Sequence, residues 1–265
     1  MAALTPCDVT PCDVTALLQL AYLEDLDVSG HQTLGHKVEA SEGELMYGEL
    51  LTSGVTKALE RLGAKQSSGK ETLLELGSGT GKVALQAFLE CPGLRRVVGV
   101  ELSRARHDVA VTALSRLADQ QPGFTLSHPG PDRSALQDTG GRMIELQCGD
   151  LTATDAALVR EARFLLLQVV LPEHVQTAAQ RMQLHVVDGC RALMLKDLSR
   201  TWALEEPCPW HPVGSASVDY FATSWSPVSG HRLHLYEADS SRAASITLGS
   251  ALETMEADLT EGHAL

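Results

Sequence analysis

The sequence predicts an α/β protein: a doubly wound, mostly parallel seven-stranded sheet that ends in an antiparallel hairpin and follows an N-terminal helical and loop extension. Three observations predict it. Strand-like and helix-like stretches alternate from Glu71 onward, the pattern of parallel strands joined by crossover helices. The first strand runs into Gly77-Ser78-Gly79-Thr80-Gly81 and then into a helix, a turn that lets backbone approach a ligand closely. Near the end, two strand-like runs are joined only by Ser226-Pro227-Val228-Ser229-Gly230, a hairpin signal.

In chain order, residues 6–15 read Pro-Cys-Asp-Val-Thr twice. That duplication is too short for a repeat architecture and is expected in a flexible arm. Val14, Leu17, Leu18 and Ala21 have helical spacing, which predicts a short helix within Val14–Asp25, while residues 26–43 read as loop. A helix is expected over Thr52–Leu62. Thr72–Leu76 is the first strand, Lys82–Glu90 its helix and Val97–Leu102 the second strand. Ser103 can cap the helix that follows to about Leu117. Residues 120–141, rich in Gly, Pro, Ser and Asp, are expected as an inserted surface loop. Met143–Cys148 is a third strand, Ala156–Arg160 a short helix and Phe164–Val170 a buried fourth strand. Pro172 suits the first turn of the next helix, where its missing N–H is not needed. Asp188-Gly189 turns into a strand at Arg191–Leu195, and Ser217–Trp225 with His231–Ala238 makes the closing hairpin. One domain over residues 46–240 is therefore expected, between an extension of residues 1–45 and a tail of residues 241–265.

Composition agrees. Of 265 residues, 44% are hydrophobic and 21% charged, an ordinary globular balance. Aromatic residues make up only 4%, so Leu, Val and Ala must fill the core. The longest apolar run, Phe164–Leu171, is too short to span a membrane. No Lys or Arg precedes Lys37, so a secretory or transit peptide is not expected. The cysteines form no CxxC pair and no Cys/His cluster has metal-ligand spacing. Free thiols in the cytoplasm or nucleus, and no metal site, are the expectation. The net charge of −13 opposes general nucleic-acid binding and suits a basic protein partner, or solubility alone.

The glycine turn admits three readings. A phosphate-binding P-loop needs Gly where Leu76 stands and Ser or Thr where Val83 stands, so it is rejected. A dinucleotide fingerprint needs Gly where Lys82 stands, so it is weak. The third reading fits throughout: an acidic residue, Glu75, ahead of the G-x-G-x-G turn that class I methyltransferases share. Glu101, near the end of the second strand, can accept both ribose hydroxyls of a nucleoside. Asp150 is placed to accept from an adenine amino group, with Leu151 beneath the ring. S-adenosylmethionine carries a sulfonium and an ammonium instead of a pyrophosphate, so carboxylates beside the turn suit it. The alternative is a ligand-free scaffold with a fortuitous turn.

Beyond the turn, Met46-Tyr47-Gly48-Glu49 resembles the Tyr-Gly-Glu signature of the disruptor-of-telomeric-silencing family of histone H3 lysine methyltransferases, whose fold is Rossmann-like. The resemblance continues through Glu75-Leu76-Gly77-Ser78-Gly79-Thr80-Gly81, Leu85-Gln86, Gly99-Val100-Glu101 and Gly149-Asp150. It returns at Ser224-Trp225 and Leu233-His234. It implies S-adenosylmethionine as cofactor, histone H3 in nucleosomes as partner and the nucleus as location. It further implies that Tyr47 and Glu49 form a lid over the methionine end of the cofactor. Glu75, Gly77, Gly79 and Lys82 would line its amino acid and ribose portions, Lys82 standing where the family usually has Gln. Glu101 would hold the ribose, Asp150 and Leu151 the adenine, and Trp225 would wall the lysine channel. Two departures bear on catalysis. Gln168, within Leu167-Gln168-Val169-Val170-Leu171, takes the place of an Asn beside the reactive methyl, and His231 that of a channel Tyr. The basic nucleosome-binding extension of some members is missing.

Methyl transfer from a sulfonium asks mainly for positioning and for stripping water from the amine. No dedicated general base is needed, and His231 and His234 read more simply as packed or surface histidines. Lys57, Arg61, Lys65 and Lys70, or Arg95, Arg96, Arg104 and Arg106, could form a patch for nucleosomal DNA, against the simpler reading of solvated faces. Three functions stand: a histone H3 lysine methyltransferase, another class I methyltransferase acting on a small molecule or non-histone protein, or a cofactor-binding chromatin module.

Overall fold

The computed structural model describes residues 11–23, 48–214 and 219–239. Tyr47, the expected loop at 26–43 and the expected tail at 241–265 lie outside the described residues. The elements are α1 Pro11–Tyr22, α2 Thr52–Leu62, β1 Glu71–Leu76, α3 Lys82–Glu90, β2 Leu94–Glu101, α4 Arg104–Gln120, β3 Phe124–Gly130 and β4 Arg133–Asp138. There follow β5 Met143–Cys148, α5 Ala156–Glu161, β6 Ala162–Leu167, α6 Glu173–Gln183, β7 Arg191–Met194, α7 Leu198–Thr201, β8 Trp210–Pro212, β9 Tyr220–Thr223, β10 Ser226–Arg232 and β11 His234–Ala238.

The expected α/β architecture is present. One sheet has the order β3-β4-β5-β2-β1-β6-β7-β11-β8. Strands β5, β2, β1, β6 and β7 are parallel, and β11 runs against both β7 and β8. From β5 to β8 the sheet has the expected seven strands in number, but β8, at Trp210–Pro212, stands where the run Ser217–Trp225 was expected. Strand β1 is buried along nearly its whole length, as a central parallel strand must be. Its side chains alternate between two cores: Leu73 joins the helices α1 to α4, while Leu74 and Leu76 join Leu165, Met182 and Trp210 on the other face.

Three expectations need correction. Residues 120–141 are not a surface loop: α4 runs to Gln120, and β3 and β4 then form a hairpin that pairs antiparallel with β5 and widens the sheet to nine strands. Its Gly and Pro residues sit at the turns and at the end of β3, and Ala135 and Leu136 are buried, so punctuation at the ends masked two real strands. The second Pro-Cys-Asp-Val-Thr copy is not in a flexible arm. It is the first turn of α1, where Pro leaves no helical bond unmade. The closing hairpin is also paired differently. β9 pairs with β10 as a separate two-stranded sheet, whereas residues 234–238 leave it to join the large sheet as β11.

Candidate functional site

From β1 the chain moves outward to β2 and β5, then returns to β6 on the other side of β1. The strand ends around β1 therefore lie at the switch point, where doubly wound sheets bind ligands. A cavity of about 470 Å³ opens there, within the roughly 300–1,000 Å³ of small-molecule sites. The glycine turn lies against it, and its walls come from the ends of β2, β5 and β6 and from residues 48–50.

Backbone ties hold the turn. Gly77 N–H and Ser78 N–H both donate to Val100 O, at 2.8 and 3.0 Å. Gly77 has φ +81°, and a Cβ added there would run into Val169, so both conformation and space demand glycine. Glu101 faces the turn from the end of β2. Its Oε2 accepts from Gly79 N–H and its Oε1 from Ser103 N–H, each at 2.8 Å. Arg106 Nη1 stands 3.9 Å from that Oε1. A carboxylate oxygen has two lone-pair directions, so Glu101 can hold the turn and still accept a ligand hydroxyl.

Glu75 is the unsatisfied acid. It is 2% exposed, and its Oε2 has no hydrogen-bond partner among the described residues. Burial, then the like charge of Glu101, raise its pKa well above the ordinary carboxylate range; a bond from the Ala84 backbone opposes the rise and Glu49 adds to it. Glu49 in turn bridges two groups of the turn region: Oε1 accepts from Thr80 Oγ1 at 2.7 Å, and Oε2 lies 3.3 Å from Lys82 Nζ. Its backbone is hooked to the hairpin, with Ser224 N–H donating to Glu49 O at 2.8 Å and Glu49 N–H to Ser224 Oγ at 3.2 Å.

At the far end, Asp150 accepts from Thr152 N–H at 2.8 Å and starts the short 3-10 turn Leu151–Ala153. Past β6, Gln168 is followed by an apolar wall of Val169, Val170, Leu171 and Pro172. The strand ends at Leu167 and not at Val170 as expected, which frees these side chains to face the cavity.

Glu49, Glu75, Gly77, Gly79, Lys82, Glu101, Asp150, Leu151 and Gln168 thus all line one cavity. Trp225 and His231, expected on a lysine channel, do not line this cavity. They stack edge to face on the β9–β10 hairpin, centroids 5.4 Å apart, and Trp225 packs on Gly48. Gly48 itself bounds the cavity, so Trp225 lies one layer behind the wall. Most of the basic groups have acidic partners. Lys57 and Arg61 pair with Asp219, Lys65 with Glu60 and Glu90, Arg95 with Glu161, Arg96 with Glu145 and Glu161, and Arg104 with Asp132.

Among the cavity residues that sequence reasoning did not assign to the site are two basic ones, Arg106 and His174. Arg106 reads as surface charge, yet its place three residues after the Ser103 cap turns it toward the strand end. His174 also lines the cavity, and the signal for it was its position just inside the helix after a buried strand.

The topology, the acid-flanked glycine turn and the cavity at the strand ends are those of the class I methyltransferase fold. Within that class, residues 35–128 match the family described as "Histone methylation protein DOT1". This stretch holds the Tyr47-Gly48-Glu49 motif, the turn and Glu101, and it bears out the resemblance read from the sequence.

No curated protein matches the chain. Among solved structures it is similar to an RNA methyltransferase from Salinibacter ruber in complex with S-adenosyl-L-homocysteine, at 18% identity over 69% of this chain and 86% of that one, TM-score 0.39. It is also similar to TrmN from Thermus thermophilus, at 17% identity over 70% of this chain and 49% of that one, TM-score 0.47. A third is protein 1320 of Thermoplasma acidophilum, at 9% identity over 85% of this chain and 96% of that one, TM-score 0.47.

Proposed function

We propose that this chain methylates a lysine in the globular core of histone H3, in the nucleus, with S-adenosylmethionine as methyl donor. The observation that carries the proposal is Glu75 Oε2, buried and without a partner among the described residues, beside a glycine turn whose other acid, Glu101, already accepts from the turn itself. A buried carboxylate oxygen without a donor fits a ligand ammonium, and the cavity volume fits a nucleoside with an amino acid arm.

In this reading Glu75 accepts from the amino acid end and Glu101 from the ribose hydroxyls. Asp150 accepts from the adenine amino group over Leu151. Glu49 and Lys82 close the methionine end from above. When bound, S-adenosylmethionine would supply a sulfonium methyl for transfer. Gln168 orients the incoming amine through its amide oxygen, and Val169, Val170 and Leu171 keep water from it. Desolvation disfavours the ammonium form of lysine, so the amine reaches the site unprotonated without a dedicated base.

One observation favours a second reading. Gln168 reaches farther than the Asn the family carries there, which suits a cofactor-binding chromatin module with little transfer. Incubating purified protein with labelled S-adenosylmethionine and either nucleosomes or free histones separates the readings. Label on H3 is the expected result. Tight cofactor binding with no labelled histone would turn the assignment to the module, or to a different methyl acceptor.

A further inference from the structure

Helix α1 lies outside the stretch that matches the family, and no part of it bounds the cavity. It is nonetheless wired into the site. Val14, Leu17, Leu18 and Ala21 are buried in one core with Ala84 and Phe88 of α3 and Ala110 and Leu114 of α4. Arg116 Nη1 donates to Ala21 O at 3.0 Å and holds the end of the helix. The last helical residue, Tyr22, is 5% exposed. Its hydroxyl donates to Thr80 O at 3.0 Å, and its ring lies 5.6 Å from Lys82 Nζ. Directly after it, Leu23 takes φ +53° and is 63% exposed. A leucine gains nothing from that left-handed conformation, and such strain persists where surrounding contacts over-determine the chain.

Thr80 is the apex of the glycine turn, and two different elements hold it. Tyr22 takes its carbonyl, while Glu49 takes its hydroxyl. Lys82 then joins Glu49 to the Tyr22 ring. The four side groups form a closed ring around the turn, drawn from α1, the turn, the start of α3 and residues 48–50. We propose that Tyr22 is a positioning residue for cofactor binding: through Thr80 and Lys82 it presets the glycine turn and, through Glu49, the segment that closes over the ligand. The inference rests on the proposed use of S-adenosylmethionine. It makes α1 a structural part of the cofactor site and not a separate extension.

Tyr22→Phe removes only the hydroxyl and keeps the buried ring. Hydrogen exchange of the ligand-free protein and cofactor titration by calorimetry test it together. The expected result is faster exchange at the turn, residues 77–81, with α1 still protected, and S-adenosylmethionine affinity about three- to tenfold weaker, the scale of one lost hydrogen bond. A merely structural tyrosine would deprotect α1 itself and leave affinity unchanged. That outcome, or unchanged exchange at the turn, overturns the proposal. If the unaltered protein fails to bind S-adenosylmethionine, the cofactor reading falls first and this role falls with it. Thr80→Val supplies a second arm: it cuts the Glu49 link and keeps the Tyr22 bond, so weaker binding in both variants, and a smaller than additive loss when they are combined, is expected.

Discussion

Gly79 and Glu101 stand 22 residues apart in sequence and meet at 2.8 Å, the turn's N–H donating to the strand-end carboxylate. One acid therefore shapes the glycine turn and lines the cavity beside it. Removing it by Glu101→Ala leaves the Gly79 and Ser103 N–H groups without their acceptor, at about 1–3 kcal/mol each if no water enters. The bond to the ribose goes too. Calorimetric titration should show S-adenosylmethionine affinity lowered by about 100-fold or more, with Glu101→Gln falling between, since its amide keeps one oxygen. Wild-type affinity in the Ala variant would end the ribose role.

Glu75 makes a prediction about pH. Its folded pKa is raised, first by burial and then by Glu101. Above the ordinary carboxylate pKa the unfolded chain releases a proton that the folded chain retains, so this group's contribution falls as pH rises toward the folded value. Glu75→Gln should abolish that slope and raise the melting temperature of the ligand-free protein at neutral pH, at roughly 2–4 °C per kcal/mol. The same change should weaken cofactor binding, because an amide cannot supply charge to an ammonium. Melting curves from pH 5 to 8, paired with titrations, check both halves. A variant that loses stability at neutral pH, or that binds as tightly as before, contradicts the account.

Gln168 follows the end of β6 and borders the apolar wall. If its amide guides the acceptor amine, Gln168→Ala should lower kcat by about tenfold or more, in the range lost when an oriented polar contact is removed, while cofactor Kd moves by less than about threefold. Equal losses in kcat and cofactor affinity would reassign it to the cofactor.

The central sheet and the cofactor end of the site were legible because each rests on local chemistry. A buried strand, glycines and a helix announce themselves within Leu73–Leu89, and Glu101 and Asp150 follow from strand ends alone. What failed depends on pairing between distant segments. Phe124 to Asp138 carries too much Gly and Pro for its strands to stand out, and only packing against α4 and β5 makes them strands. Trp225 was assigned to the lysine channel by the family resemblance alone. The partition of β10 and β11 between two sheets moves it one layer back, and no local pattern records that partition. Tyr22 was hidden for the same reason: its i+4 relation to Leu18 marks a buried stripe but not what the hydroxyl reaches.

That displaced tryptophan can be tested in its observed place. A Cβ at Gly48 would collide with the Trp225 ring, and Gly48 sits beside Glu49 at the cavity edge. Gly48→Ala should therefore destabilise the protein by about 1–3 kcal/mol, as overpacking does, and weaken cofactor binding by tilting Glu49 off Thr80 and Lys82. Trp225→Leu removes the obstructing ring without touching the cavity wall. Combined with Gly48→Ala it should restore much of the lost affinity, a coupling of about 0.5–3 kcal/mol in a double-mutant cycle of unfolding and binding. If Trp225 instead lined the lysine channel, its removal would depress turnover and give no rescue, and additivity in the cycle would favour that placement over the one behind Gly48.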